Sequence, residues 1–378
     1  MQKVVHIIAR QRGKKSKPGL LQLIRDLAMA QFQMGLDVSV WKIGEFEESL
    51  SPLDSKTFPS TMNRLRLSKS FMEAIETLPD KTILHLHNGF VPEYYTLSRK
   101  LKRSGAPYRL VLSPHGLYSE ARLRSLSTFV KAYFYLFEQH LVRNASMLHL
   151  IGPAEVSGYT FYLNNVTPFV SIPNGLSRDE LQEPSRRDYL NNETFIVTYS
   201  GHLNVYEKGL DILLKSFATF SNEVYSQTEL WLIGSGADEN ELKKNVRCLG
   251  VDDKVKFYGD LDNHAKKKRM TESHVFVQPS RLDCIPMNAL EAASEGIPLI
   301  VTEETNLGGF VRQYEAGWFL SRNDVKSLTL ALHDAYFIYQ TDPDGYNARG
   351  RNAYRMIREE LNWNSLAHKW MTVYSSVL

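Results

Sequence analysis

Two carboxylates, Asp283 and Glu291, stand with seven residues between them in the stretch Pro279-Ser-Arg-Leu-Asp-Cys-Ile-Pro-Met-Asn-Ala-Leu-Glu291. A carboxylate only accepts hydrogen bonds and can take two hydroxyl protons at once, so the pair suits a hydroxyl-rich ligand. The same spacing also fits Asp283 as a helix cap and Glu291 as a solvated helix residue. His115 lies between Pro114 and Gly116, directly after the apolar run Tyr108 to Ser113. Such a histidine is held in a fixed turn, and taken alone it reads as structural. His85 and His87, two residues apart, share one strand face. No third ligand lies near them in sequence, so no metal site is expected.

The elements that must position these residues follow from the apolar pattern. His274 to Gln278 reads as a buried strand, and Leu299 to Val301 as another. Between them Asn288 to Glu295 has helical composition and stops at Gly296, a natural cap. Pro286 stands near the helix start, where its missing N–H costs nothing. The amides from Asp283 to Met287 are then expected to face the crevice beyond a strand's C-terminal end. Amides so placed favour an anion or an array of sugar oxygens.

The rest of the chain repeats this strand–helix alternation. Val4 to Ala9, Asp37 to Trp41, Thr82 to His87, Tyr108 to Ser113, Ser146 to Ile151 and Pro168 to Ile172 read as strands of a first domain. Leu20 to Met34 has helical spacing, and the basic loop Arg10 to Gly19 precedes it without the Walker pattern. Ser125 to Val142 reads as one helix, dense in aromatic and basic residues. It is either a core helix with a solvated basic face or a surface for membrane or a lipid-linked acceptor. The polar run 176–190 is a linker signature. Thr194 to Tyr199, Glu229 to Ile233 and Val255 to Tyr258 open a second set of strands. Asn306 to Gly309 reads as a loop, and Asp324 to Gln340, Tyr346 to Glu360 and Asn362 to Val377 as helices. The fold class is therefore α/β, with two doubly wound parallel sheets.

Bulk numbers agree with two domains: 378 residues are long for one core. The net charge of +3, from 45 basic and 42 acidic residues, is too mild for nucleic-acid binding. Two cysteines without metal-ligand spacing fit a reduced cytoplasm. The first apolar run is too short for a signal peptide, and no stretch is long enough to span a bilayer.

The pattern acidic-x7-Glu followed by Ala-Ala-Ser-Glu-Gly-Ile-Pro298 resembles the retaining glycosyltransferases of the GT-B fold, family GT4. Asp283 stands where the family usually has Glu. Ser200-Gly201 and Lys208-Gly209 are similar to a family segment in which two cations hold the donor diphosphate, with His202 where Arg is usual. Gly234-Ser-Gly236, Phe257-Tyr258-Gly259, Gly308-Gly309 and the last helix with Trp363 follow in family order. The likeness is strong over roughly 195–320 and loose over the first domain.

The resemblance implies GT-B architecture, two Rossmann-like domains facing across a cleft. Residues 1–180 would bind the acceptor and 190–360 the nucleotide-sugar donor, with 361–378 a helix crossing back to the first domain. It implies hexose transfer from a UDP-sugar, with UDP-glucose the expected donor, to a glycan or lipid-linked saccharide, with no metal cofactor. Lys208, His202 and Gly19 would stabilise the leaving diphosphate. Asp283 and the segment Cys284, Ile285, Pro286 and Met287 would hold sugar hydroxyls, and Glu291 the ribose diol. Gly201 and Gly234 would line the nucleotide, with the base near Tyr258, and His115 would contact the sugar when the domains close. A cytoplasmic location with peripheral contact at the inner membrane face goes with this reading. The alternatives are a nucleotide-sugar 2-epimerase and a non-catalytic sugar-nucleotide binder.

Overall fold

Val4, Val5, Ile7 and Ile8 flank His6 with apolar side chains, and in the computed structural model they form a strand buried on both faces. The structure describes residues 2–10, 18–46, 50–177, 184, 194–224 and 227–378. It divides into two compact units, Met1–Asn174 with Trp363–Leu378, and Gly175–Asn362. Most of the basic loop from Arg10 to Lys17 and most of the 176–190 linker lie outside the described residues.

Unit 1 holds seven strands: β1 (Lys3–Ala9), β2 (Asp37–Ile43), β3 (Asp54–Phe58), β4 (Ile83–His87), β5 (Arg109–Ser113), β6 (Met147–Leu150) and β7 (Phe169–Ser171). They form one sheet in the order β3-β2-β1-β4-β5-β6-β7, and every pair is parallel. Unit 2 holds β8 (Thr194–Ser200), β9 (Gln227–Ile233), β10 (Val255–Gly259), β11 (Val275–Gln278), β12 (Leu299–Thr302) and β13 (Gly317–Leu320). These run β10-β9-β8-β11-β12-β13, again all parallel. Parallel strands need crossover connections, and helices supply them.

Strand order reverses between β1 and β4 in unit 1 and between β8 and β11 in unit 2. At such a point the loops leaving neighbouring strands diverge, and the C-terminal strand ends border a crevice. The segments after β8 and β11 are the ones singled out by spacing.

The structure corrects several expected elements. The helix expected over Ser125 to Val142 begins at Thr128, passes through a π-turn at Phe134–Glu138 and runs to Asn144. Ser125 instead ends a separate short helix, Glu120–Ser125. Gly308, expected in a loop, starts the helix Gly308–Tyr314, and a side chain there would collide with the Phe319 ring. β3 was not expected, because it is an edge strand whose first four residues are exposed and carry no apolar signal.

The C-terminal helix Trp363–Val377 packs within unit 1, where Trp370 and Tyr374 are buried. Trp370 lies against His85 and His149 at centroid distances of 4.7 and 4.6 Å.

Candidate functional site

In unit 2 the site is assembled from two loops at the switch point. The loop after β8 is shaped by close backbone approaches that exclude side chains. A Cβ at Gly234 would strike the Gly201 carbonyl, one at Gly236 the Leu203 carbonyl, and one at Gly209 the Pro279 carbonyl. Gly209, at φ +66°, is the N-cap of the helix Leu210–Glu223. It thus joins the β8 loop to the β11 loop, and only glycine fits there. Glu207 completes the joint, since its carbonyl accepts from the amides of Arg281 and Leu282 at 2.9 and 3.0 Å.

Lys208 and Asp283, expected to serve different parts of a ligand, meet directly. Lys208 Nζ donates to Asp283 Oδ2 at 2.7 Å. Ser280 Oγ and Gln278 Nε2 donate to the same oxygen at 2.9 and 3.1 Å, and the Cys284 amide to Oδ1 at 2.9 Å. Asp283 therefore neither caps the following helix nor presents an unengaged carboxylate. The helix Met287–Ser294 starts at Pro286 with no side-chain cap. Side-chain exposures of 20% and 11% make Lys208–Asp283 a largely desolvated pair.

The expected row of crevice-facing amides from Asp283 to Met287 is shorter than the sequence suggested. The Cys284 amide bonds to Asp283, and the Ile285 amide donates to the Thr305 carbonyl at 3.0 Å. Pro286 has no N–H. Ile285 is buried with φ +48°, a conformation unfavourable for a β-branched residue and held here by the surrounding loop.

Glu291 lies one turn into its helix, with Oε2 at 2.6 Å from Lys266 Nζ and its side chain 31% exposed. Lys266 and the neighbouring Asn288 were not singled out from sequence. Nor was the bidentate pair Arg281–Asp211, at 2.7 and 2.8 Å, which fixes the start of the β11 loop. Asp211 is held below the ordinary carboxylate range, its burial outweighed by the Arg281 contacts. His202 is exposed beside this loop, and its carbonyl accepts from the buried Tyr199 hydroxyl at 3.0 Å. Tyr258 lies at the end of β10, its ring 5.3 Å from that of Trp231 and 4.6 Å from the Arg269 guanidinium.

In unit 1 His115 follows β5 in a left-handed conformation, φ +54°. The turn is clamped by buried Glu155, which accepts from the amides of Gly116, Tyr118 and Ile151 at 2.7, 3.3 and 2.9 Å. Burial still pushes Glu155 up to about 7 against those bonds. Gly158 lets the helix Pro153–Leu163, which carries Glu155, approach, because a Cβ there would strike the Tyr118 carbonyl.

Behind His115 is a group that sequence reading missed. His115 Nε2 bonds to His87 Nδ1 at 2.9 Å, His87 Nε2 to His6 Nδ1 at 2.8 Å, and His6 Nε2 to Gln31 Oε1 at 2.8 Å. The third histidine near His85 and His87 is thus His6, remote in sequence but opposite His85 in the β1–β4 register. Ligand atoms of His6, His85 and His87 lie within 4.8 Å of one another. Both ring nitrogens of each nonetheless have hydrogen-bond partners. Desolvation lowers His6 to about 4, His115 to about 3 and His149 to about 4, and His85 and His87 well below the usual value, so all are neutral at pH 7. Gly19, the other residue singled out in this unit, stands in the first turn of the helix Pro18–Gln33, where amides lack intrahelical acceptors.

Residues 182–354 match the model of the family "Glycosyl transferases group 1". An uncharacterized glycosyltransferase of Haemophilus influenzae is 25% identical over 214 residues, 56% of this chain and 55% of that protein. The chain thus spans about half the length of this curated relative. Among solved structures, sucrose-phosphate synthase from Thermosynechococcus elongatus superposes with a TM-score of 0.74 at 19% identity, covering 100% of this chain and 99% of its own. HepE from Anabaena, solved in complex with UDP, gives 0.74 at 14% identity, covering 99% and 100%. The likeness in structure shows the fold, and the fold is GT-B.

Proposed function

From the match of residues 182–354 to the glycosyl transferases group 1, we propose that this chain moves a hexose from a nucleotide-diphosphate sugar to a glycan or lipid-linked saccharide, with retention at the anomeric carbon. The donor proposed is UDP-glucose, and the location cytoplasmic. One observation carries the reading: a lysine held by a carboxylate in a glycine-shaped joint between the β8 and β11 loops, at the switch point of a parallel sheet.

The chemistry follows from charge. As the sugar–phosphate bond breaks, an oxocarbenium-like centre forms and negative charge grows on the diphosphate. A preorganised cation aimed at that charge lowers the barrier. Asp283 fixes Lys208 in place, so little reorganisation accompanies the reaction. His202 and Gly19 assist at the diphosphate, Gly201 and Gly234 admit it closely, and Glu291 takes the ribose diol. His115 contacts the sugar. These groups need no divalent metal.

The structure of a neighbour with UDP supports the choice of nucleotide. Exposed Phe129, Tyr135 and Leu136, beside the cations Arg122, Arg124 and Lys131, support a lipid-linked acceptor. Among the described residues no helix is long and apolar enough to cross a membrane.

A donor screen tests the reading, run with UDP-, GDP- and ADP-sugars, with EDTA, and with anionic vesicles. Transfer from UDP-glucose that survives EDTA is expected, and Lys208→Ala should depress turnover more than donor affinity. Preference for a GDP-sugar, or loss of activity in EDTA, would overturn those parts. Failure to sediment with vesicles at low salt would remove the lipid contact. Donor turnover without acceptor would favour the epimerase, and tight binding without turnover a binder.

A further inference from the structure

The hydrogen bonds behind His115 continue past Gln31 and end on a group that cannot reverse. His149 Nε2 lies 2.8 Å from the Ile172 carbonyl. A carbonyl only accepts, so neutral His149 carries its proton on Nε2 and a lone pair on Nδ1. Ser113 Oγ, 2.8 Å from that lone pair, donates to it and accepts from His85 Nε2 at 2.6 Å. His85 Nδ1 then accepts from the Tyr374 hydroxyl at 2.8 Å. With its proton committed, the Tyr374 oxygen accepts from Gln31 Nε2 at 3.2 Å. Gln31 is thereby oriented with Oε1 toward His6, which donates from Nε2. His6 Nδ1 accepts from His87 Nε2, and His87 Nδ1 accepts from His115 Nε2.

Each bond has one direction once the carbonyl sets the first. Reversing the series would place a lone pair of His149 against the Ile172 oxygen. His6, Gln31, His85, His87 and Ser113 are fully buried, and Tyr374 and His149 nearly so, so solvent does not interrupt the order. At the far end, His115 Nδ1 is buried and has no hydrogen-bond partner among the described residues.

We propose that this chain is a tautomer lock: Tyr374, Gln31, His6 and His87 are positioning residues that hold His115 with its proton on Nε2 and its lone pair on Nδ1. What His115 offers a ligand that uncovers Nδ1 is then an acceptor. It suits a sugar hydroxyl and repels a phosphate oxygen, so His115 recognises sugar and takes no part in protonating the leaving group. That last assignment rests on the transferase reading; the proton order rests on the hydrogen bonds alone.

Long-range proton–nitrogen NMR of the full chain labelled at histidine nitrogens tests it without any substrate. His115 and His87 should show a protonated Nε2 and a bare Nδ1 at pH 7. A proton on His115 Nδ1 in the wild-type chain would overturn the proposal. Tyr374→Phe removes one oxygen and frees Gln31 to flip, so His115 should become a mixture of tautomers; His6→Leu, which removes the acceptor for His87, should do the same. An unchanged His115 spectrum in either folded variant would show that the chain does not set it. Transfer by Tyr374→Phe should fall about two- to tenfold in kcat/KM, the scale of one hydrogen bond. If no donor is used by any form while the tautomers are as stated, the transferase reading fails and the lock stands.

Discussion

In unit 2 the paired polar groups around the candidate site are ions; in unit 1 the linked histidines are neutral. Lys208–Asp283, Arg281–Asp211 and Lys266–Glu291 have side-chain exposures between 11% and 31%, enough water contact for charges that are also paired. In unit 1, His6, His85, His87, His115 and His149 bond to one another, to neighbouring side chains and to a backbone carbonyl. An ion at full burial would have to be paired or discharged, and here the groups discharge. The ionic site can therefore follow the charge of a ligand, whereas the neutral one carries direction, set by where each proton sits. The two should respond differently to acid, to backbone change and to loss of a single carboxylate.

Acid should act most strongly, and on unit 1. Unfolded histidines take protons near 6.5, while His6 and His149 do so near 4 and His115 near 3 in the fold. Between those values the unfolded chain binds more protons, so acid favours it. Glu138 and Glu155 oppose this, since burial raises both from 4.5 to about 7 and the folded chain then holds more protons between those values. Five histidines outweigh two glutamates, and stability present above pH 6.5 should be lost progressively toward pH 4, by on the order of several kcal/mol. Hydrogen exchange should show β1 and β4 losing protection between pH 7 and pH 5. Equal protection at both values would mean that the histidines are neither dry nor neutral.

Backbone strain should separate the units the other way. Gly209→Ala places a Cβ against the Pro279 carbonyl at φ +66°. The expected loss is about 3 kcal/mol, confined to unit 2. Urea unfolding followed by exchange at β8 and β11 measures it; a loss under about 1 kcal/mol would show that the joint between the loops gives way easily.

How much of this was legible depends on whether partners are neighbours in sequence. Asp283, Glu291 and the helix Met287–Ser294 were found because one strand–loop–helix unit holds them all, and its apolar period and Gly296 mark its ends. That Lys208 reaches Asp283 was hidden, since it depends on the β8–β11 pairing and the Gly209 approach. His6 gave no signal at all: one histidine in an apolar strand becomes informative only when β1 and β4 are in register. Tyr374 is further still, placed by a helix from the other end of the chain. Polar elements such as β3 and the helix Asn263–Glu272 lacked the periodicity that reveals buried ones.

Glu291 gives the smallest effect and the sharpest contrast. In the structure it looks like half of an ordinary ion pair with Lys266, and partly exposed pairs contribute about 0–1 kcal/mol to stability. If that were its whole role, Glu291→Ala would leave ligand binding alone. If it holds a ribose diol, the same change removes a charged hydrogen bond from the complex, which is worth about 1.5–3 kcal/mol, or roughly ten- to 150-fold in affinity. Calorimetry with UDP and with UDP-glucose should show both weakened alike, because the ribose is common to them, while the unfolding free energy moves by less than about 1 kcal/mol. Lys266→Met provides the control, since it removes the same ion pair and leaves the carboxylate. Nucleotide affinity that survives Glu291→Ala would return Glu291 to the surface ion pairs and leave the ionic site resting on Lys208 and Asp283.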